Sequence, residues 1–585
     1  MGILPKVNFP DASTISSIRN SLHFSYFYAK SHSMKHLITI IAILGFPFSL
    51  QAQDIPYNTS PDYESTSLGH IATGLVLADI NGDGWKDIVA ANGNDIQRQN
   101  LVVYYNNGDG TFPASPSWSS ADIDYHGHCA VGDIDKDGWP DVAVSVYIGE
   151  AGFSEPGRVK VYYNTGGELE SEPSFTSIEF YTFSCALGDA DADGDLDLAV
   201  AASESYGGEW DYGKIFINNN GNFNASPEWE SENLMGAMDV EFGDMDNNGF
   251  LDVVFIGNEY PGAIFLADNQ GEIDESPDWQ SAEPSTYNNS IDIGFFGEEA
   301  VPGFVATGND QLGGDGKIRF YDFPEGIPAN STASWTSPPI DYGSGVFLAD
   351  VTRDGNLDLI YGGWWQPMEI IPGTGSSFEN NPAYTSSTSS VVEAIQLADL
   401  GREAVVPMLD TITGIPEGSH AIRIDAQIVE NIIGVYLNDL LLNYNTVCFV
   451  PNKNWISFSF PVSPQDEIIV EYEASADPDI VITNWDGSKG NYIFYNTNIS
   501  TGIAASLQHQ PEMSVSPNPA QDFISIKCNH PFHQAFIINQ TGKQVLEFEV
   551  EINNQIDISN LGPGIYVIKL KTTEGKTCVS KFVKM

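Results

Sequence analysis

The sequence predicts an all-β protein whose main body is a seven-bladed β-propeller, with a small β-domain inserted in the last blade and a C-terminal β-sandwich after it. Three markers that recur at one spacing carry that prediction. The first is a nine-residue acidic loop, complete at Asp79 (DINGDGWKD), Asp133 (DIDKDGWPD), Asp189 (DADADGDLD), Asp244 (DMDNNGFLD) and Asp350 (DVTRDGNLD), and degenerate at Asp292 (DIGFFGEEA) and Asp399 (DLGREAVVP). The second is Ser-Pro-x-aromatic-x-Ser or a relative of it, carrying Tyr63, Trp118, Phe175, Trp229, Trp279, Trp335 and Tyr384. The third is the strand LVVYYNN at 101–107, with relatives KVYYNT, KIFINNN, AIFLADN, KIRFYDF, MEIIPGT and YIFYNT at 492–497. A period of roughly 50 residues is the signature of a repeat array, in which each unit cannot bury its apolar faces alone.

Taken from the N-terminus, residues 1–33 read as an upstream extension. Met34-Lys35-His36, the apolar run LITIIAILGFPFSL and the small-residue exit QAQ read as a secretory signal over 34–52, cleaved near Ala52. The apolar run is too short for a convincing membrane span. From 53 to 503 each unit reads as strand A (as in HCAVGDI), acidic loop, strand B (PDVAVSV), strand C (RVKVYYN) and an aromatic strand D, and four strands per unit make a propeller blade. The aromatic marker with Tyr63 precedes the first loop, whereas the seventh unit lacks one. The N-terminal strand is therefore expected to complete the seventh blade and close the ring, leaving no unpaired edge. In that unit strand A (395–400) is separated from strands B and C (478–497) by β-type runs such as HAIRIDAQIV and EIIVEYEA, read as a β-domain over 401–477.

The loops carry hard oxygen donors at alternate positions, the pattern with which a short loop wraps Ca2+. The expected side-chain ligands, at positions 1, 3, 5 and 9, are Asp79, Asn81, Asp83 and Asp87; Asp133, Asp135, Asp137 and Asp141; Asp189, Asp191, Asp193 and Asp197; Asp244, Asp246, Asn248 and Asp252; and Asp350, Thr352, Asp354 and Asp358. Gly84, Gly138, Gly194, Gly249 and Gly355 at position 6 allow the sharp turn. An EF-hand would end in Glu at position 12 and enter a helix, whereas here an apolar β run follows position 9. The copies at Asp292 and Asp399 lack the donors and should be metal-free.

These loops and strands resemble the FG-GAP/VCBS repeat family, which includes the propeller of integrin α subunits, along most of residues 57–500. The resemblance implies that the calcium loops join strands A and B on one face and that partners bind the opposite face. After residue 503 the stretches MSVSPNPAQDFISIK, TGKQVLEFEV, IDISNLGPGIYVIKL and TTEGKTCVSKFVKM resemble the type A sorting domain of the Bacteroidetes type IX secretion system. The residues that carry this are Pro517, Asn518, Pro519, Gly542, Lys543, Gly562, Gly564, Tyr566 and the terminal Lys-Phe-Val-Lys, over a domain at 504–585. That likeness implies export across the outer membrane, removal of the domain, and surface attachment or release.

A net charge of -55, from 79 acidic against 24 basic residues, repels nucleic acid and anionic membranes and makes cations the natural partners. Cys129 and Cys185 stand where other repeats have core residues, and Cys528 and Cys578 share the last domain, either free or paired. No nucleophile elbow, HExxH helix or P-loop is present, which points away from an enzyme. A lyase or sugar dehydratase would need an acid/base pair drawn from Arg98, Arg158, His126 or Tyr206. The favoured reading is a monomeric binding or adhesion module for glycan or a surface protein, set against that enzyme and against a purely structural surface protein. Its expected ligand residues are Trp210, Trp364 and Trp365, on turn-rich connections whose flat rings suit sugar faces.

Overall fold

The computed structural model describes residues 55–65, 70–204, 209–258, 262–283, 287–297, 301–310, 313–324, 326–327, 331–402, 404–498, 513–516, 523–528, 532–539, 544–549, 555–561, 564–572 and 577–584. The upstream extension and the signal segment read from the sequence lie outside them. Among the described residues the protein is built from strands, with a single 3-10 turn at Tyr444–Thr446.

Each repeat folds as an antiparallel sheet. The first runs Ala72–Ala78, Asp87–Asn92, Val102–Tyr104, Trp118–Ser119, and its successors keep that order. The innermost strands, Ala72–Ala78, Tyr125–Gly132, Ser184–Gly188, Ala237–Gly243, Ile291–Gly294, Gly343–Ala349 and Ile395–Ala398, each touch the next, and the last touches the first. That closed ring is a propeller. Strand alternation explains how it holds together. Leu75 and Leu77 pack toward Ala398, Val481 and Ile493 of the last sheet, while Ala78 and Val89 pack toward Cys129, Val131 and Val142 of the second. Both faces of every sheet are thus buried, so strand B reads as an unbroken apolar run; Asp87–Asn92 and Asp252–Gly257 are buried at every residue.

The marker aromatics close the space between sheets at their outer ends. Trp229 meets Phe265 edge-on at 5.3 Å, and Trp279 meets Tyr321 at 5.3 Å, the arrangement that ring quadrupoles favour. Cys129 and Cys185 are buried and free, as core residues. In the sixth sheet strands B and C are one bent strand, Asp358–Ile371, with register shifts near Trp364 and Pro367.

The last sheet is made from both ends of the ring: Tyr63–Glu64 pairs with Tyr492–Phe494, which pairs with Asp479–Ile482 and then Ile395–Ala398. Tyr57 adds a hydrogen bond from its hydroxyl to the Pro478 carbonyl at 2.7 Å. Between Ile395–Ala398 and Asp479–Ile482 stands a separate two-sheet β-unit, Val405–Ile412 with Ile468–Ser475 and Val429–Leu437 on one side and Ser419–Arg423 with Trp455–Val462 on the other. Its own core includes Ile424, Val429, Ile456, Phe458, Val470 and Tyr472.

One register read from the sequence is corrected. Asp292 is not the first position of a degenerate loop, because it lies inside strand Ile291–Gly294 opposite Val305, as Glu241 lies opposite Val254. The loop of that repeat starts three residues later, at Phe295. Asp399, by contrast, follows its strand directly, and Ala398 pairs with Asp479 as Ala78 pairs with Asp87. The seventh repeat therefore keeps loop positions 1 and 9, and the β-unit separates them.

The C-terminal region forms two sheets, Met513–Ser516 with Phe523–Cys528 and Gln555–Asp557, and Gln544–Glu549 with Phe532–Asn539, Gly564–Thr572 and Thr577–Lys584. Ile524, Ile526, Ile537, Ile568 and Leu570 fill the space between them. Pro517, Asn518, Pro519, Gly542, Lys543 and Gly562 lie outside the described residues, as do the side chains on which a Cys528–Cys578 pairing would rest.

Candidate metal centres and the opposite face

The five complete loops share one backbone. Position 6 is a left-handed glycine, with φ of 89° at Gly84, 96° at Gly138, 87° at Gly194, 88° at Gly249 and 86° at Gly355. Position 4 is left-handed as well, at Gly82, Lys136, Ala192, Asn247 and Arg353, a strain that the sequence does not announce in four of the five. The first carboxylate organises the turn. In the second loop Asp133 accepts the Asp137 amide at 3.1 Å and the Gly138 amide at 2.9 Å, and Asp135 accepts the Asp137 amide at 3.1 Å.

Position 9 has a role that spacing alone does not reveal. Asp141 accepts the Ile134 amide at 2.8 Å and the Asn164 amide at 2.7 Å, clasping the loop to the end of strand C. Asp87, Asp197, Asp252 and Asp358 make the same pair of bonds in their sheets. The asparagine that ends strand C completes the clasp. Asn164 donates through its side-chain amide to Pro140 O at 3.1 Å in its own loop and to Ile80 O at 2.8 Å in the preceding one; Asn218 does likewise to Leu196 O and Ile134 O. The signal for this staple was the recurrent Asn of the third marker.

Three loops gather their carboxylates tightly. Oxygens of Asp133, Asp135 and Asp141 lie within 4.8 Å of one another, as do those of Asp189, Asp191 and Asp197 and those of Asp244, Asp246 and Asp252. Burial, with neighbouring carboxylates adding to it, raises Asp141 to about 8, Asp244 to about 7 and Asp191 to about 6, and lifts Asp197 and Asp252 well above the usual range. Asp189, also well raised, has a buried Oδ1 with no hydrogen-bond partner. Paired buried carboxylates are costly without a cation between them, so the donor set fits a hard divalent ion. In the first loop Asp79 accepts the Asp83 and Gly84 amides at 3.0 and 2.7 Å, with Asn81 and Asp83 capping the turn. In the fifth, Asp350 accepts the Asp354 and Gly355 amides, and Thr352 Oγ1 reaches Asp358 at 3.5 Å.

On the opposite face, at the far ends of the B strands, the expected ligand tryptophans part company. Trp364 is buried, and its indole N–H donates to Glu393 at 2.7 Å, which also accepts from Trp485 at 3.0 Å. Most of its ring is packed against Glu393 and Trp485, and its remaining edge lines the same cavity as Trp365. Trp365 is 53% exposed, stands at φ 59°, and meets Tyr342 edge-on at 6.0 Å. The two rings line a cavity of about 500 Å³ with Asp341, Tyr361, Gln366 and Glu369. Trp210 sits apart from them, on the short hairpin that pairs it with Ser203, and is 39% exposed.

The described residues among those considered for acid/base chemistry do not converge. Arg98 pairs with Glu150 at 2.7 Å and Arg158 with Glu179 at 2.8 Å on the surface, while His126 is fully buried with Nδ1 at 2.8 Å from Asn92 O. Tyr206 lies outside the described residues.

Comparison with known families places these features. The FG-GAP-like repeat model matches residues 79–144 and 200–255, and the secretion system C-terminal sorting domain matches 514–585. The chain carries FG-GAP-like repeats and a C-terminal sorting domain. The sorting domain directs it by type IX secretion to the cell surface or extracellular space, and among the described residues no helix is long and apolar enough to cross a membrane. The repeats are similar to integrin alpha-3 of Cricetulus griseus, 30% identical over 125 residues covering 19% of this chain and 11% of that protein, and to integrin alpha-3 of Mus musculus at 29% with the same coverage. The chain thus spans 11% of the length of these relatives. Among solved structures it is similar to BBS1N in complex with ARL6DN (TM-score 0.41, 8% identity, 75% of this chain and 97% of that one) and to the Dos1 propeller (TM-score 0.38, 12% identity, 74% and 94%). The architecture itself rests on the strand pairing described above.

Proposed function

We propose that this secreted or surface propeller is a calcium-stabilised glycan-binding module with seven blades over 53–503, the β-unit at 401–477 inserted in the seventh, a signal peptide at 34–52 and the sorting domain at 504–585. The observation that carries the binding reading is the cavity beside Trp365: an exposed indole and Tyr342 offer flat apolar faces, and Asp341, Gln366 and Glu369 offer acceptors for sugar hydroxyls. An exposed tryptophan held in a left-handed backbone conformation is costly to keep without a partner. Calcium would be held by the side-chain oxygens of the five complete loops and would supply the charge that their buried carboxylates lack.

The test is a polysaccharide panel probed with the calcium-loaded protein and its Trp365→Ala variant, with elemental analysis for calcium. Binding that falls at least tenfold in the variant while its melting temperature holds supports the reading. Unchanged binding to the identified glycan removes it. A lyase or dehydratase draws no support from Arg98, Arg158 or His126, which stand in separate surface ion pairs or are buried.

A further inference from the structure

The β-unit inserted in the seventh repeat lies on the acidic loops, and it touches all five of the complete ones. Arg402 donates to the Gly84 carbonyl of the first loop at 2.7 Å. Lys136 of the second donates to Asn445 O at 3.1 Å, and the Tyr444 hydroxyl lies beside the Asp133 carboxylate. At Gly194 of the third loop an added Cβ would stand 2.6 Å from the Ser459 backbone nitrogen, so only glycine lets the two chains meet. The Gly249 carbonyl of the fourth loop accepts the amides of both His420 and Ala421 at 2.7 Å, and the His420 ring stacks on Phe250 at 5.5 Å. Arg353 of the remaining loop is ion-paired with Asp477.

A second set of contacts is independent of the five complete loops. Residues 450–453 enter the axial cavity lined by His128, Ser184, Asp239, Glu241 and Asp292, where Lys453 Nζ stands 2.7 Å from Glu241 and 3.9 Å from Asp292. Arg423 lies over the ring of Phe295, the first residue of the fifth repeat's loop without metal donors, at 3.6 Å. The unit is therefore a cap that closes the axis from the loop side.

We infer that this cap is calcium-dependent: its seat is the backbone of the loops proposed to hold the metal, so metal loading and docking stabilise each other. The inference rests on the calcium reading above. The contacts at Gly84, Gly194 and Gly249 fall at position 6, the residue whose amide the first carboxylate fixes. Carboxylates that repel one another without a cation would move that glycine, and with it the surface on which the cap lies. By linkage the coupling is reciprocal: loosening the cap weakens calcium binding, although none of its residues is among the expected ligands.

The experiment is amide hydrogen exchange on the whole protein with calcium and with chelator, together with calcium titration of the Ser459→Trp and Lys453→Ala variants. The first variant pushes the cap off the third loop, and the second loosens it at the axial ion pair with Glu241, a strand residue that is not an expected calcium ligand. Expected are faster exchange across Ser419–Arg423 and Trp455–Val462 on chelation, by about tenfold or more, with inner strand Ala237–Gly243 still protected. Calcium affinity should fall about fivefold or more in each folded variant. Calcium bound with unchanged affinity in a folded variant, and cap exchange indifferent to chelation, would overturn the inference and leave the calcium reading standing. Absence of bound calcium in the unaltered protein would overturn both.

Discussion

At the residue scale, neighbours in sequence have opposite fates. Trp364 and Trp365 look alike in the sequence, yet one is buried against Glu393 and the other is exposed. Trp364→Ala should cost about 3–5 kcal/mol, as loss of a large buried aromatic does, and it also strips a donor from a buried carboxylate. Trp365→Ala should stay within about 0.5 kcal/mol, as expected of a surface change. Denaturant unfolding of both variants measures the difference, and equal losses would contradict the assignment. The histidine pair at 126 and 128 divides in the same way. Burial lowers the pKa of His126, while for His128 burial is outweighed by Asp239, 3.6 Å from its Nδ1, and the pKa is raised. His126 thus contributes stability that is whole above its unfolded value near 6.5 and is lost as pH falls below it, whereas the His128 contribution is whole below 6.5 and is lost as pH rises through its raised value. Ring-proton titration by NMR should find His128 still charged above pH 6.5 and His126 already neutral there.

At the element scale, the acidic loops were legible because their ligands, glycines and spacing are all local. The clasp was not, because position 9 serves two purposes with one residue type. Calcium spacing accounts for that aspartate, so nothing prompts a search for its backbone partners. The seventh repeat separates the two roles. Asp479 accepts the Leu400 amide at 3.0 Å and the Asn496 amide at 2.8 Å with a whole β-unit in place of the loop. Asp479→Ala should therefore cost about 2–4 kcal/mol from two orphaned amides, equally with and without calcium. Asp135→Asn in the second loop should instead lower calcium affinity and change the stability of the metal-free protein little. Calorimetry of both variants in calcium and in chelator tests the distinction. Misreading Asp292 as a loop start has a related cause: its acidic side chain serves the axial Lys453, and such a long-range partner leaves no trace in local spacing.

At the scale of the whole molecule, the ring is closed by contacts between the most distant parts of the propeller. Tyr63 pairs with Ile493, the Thr497 amide donates to Pro56 O at 2.6 Å, and Tyr57 is buried against Ile480 and Phe494. Complementary missing and extra aromatic strands made this closure readable, whereas the seat of the β-unit was not, since it depends on shape at glycines. Deleting residues 57–66 removes two packed tyrosines and uncovers the edge of Tyr492–Phe494. A loss exceeding the roughly 3–5 kcal/mol of one buried aromatic is expected, seen as a lower denaturation midpoint.

Removing residues 504–585 should do the reverse. The sorting domain has its own core of Ile524, Ile537, Ile568 and Leu570, and none of the seven inner strands or their closing pair belongs to it. The truncated propeller should therefore keep its calcium-dependent melting temperature while losing its route across the outer membrane, and should accumulate in the periplasm. Cell fractionation combined with thermal unfolding of the recovered protein reads both effects at once. Surface display of the truncated chain would show that export signals lie within the propeller, and a large fall in melting temperature would show that the C-terminal sheets brace the ring.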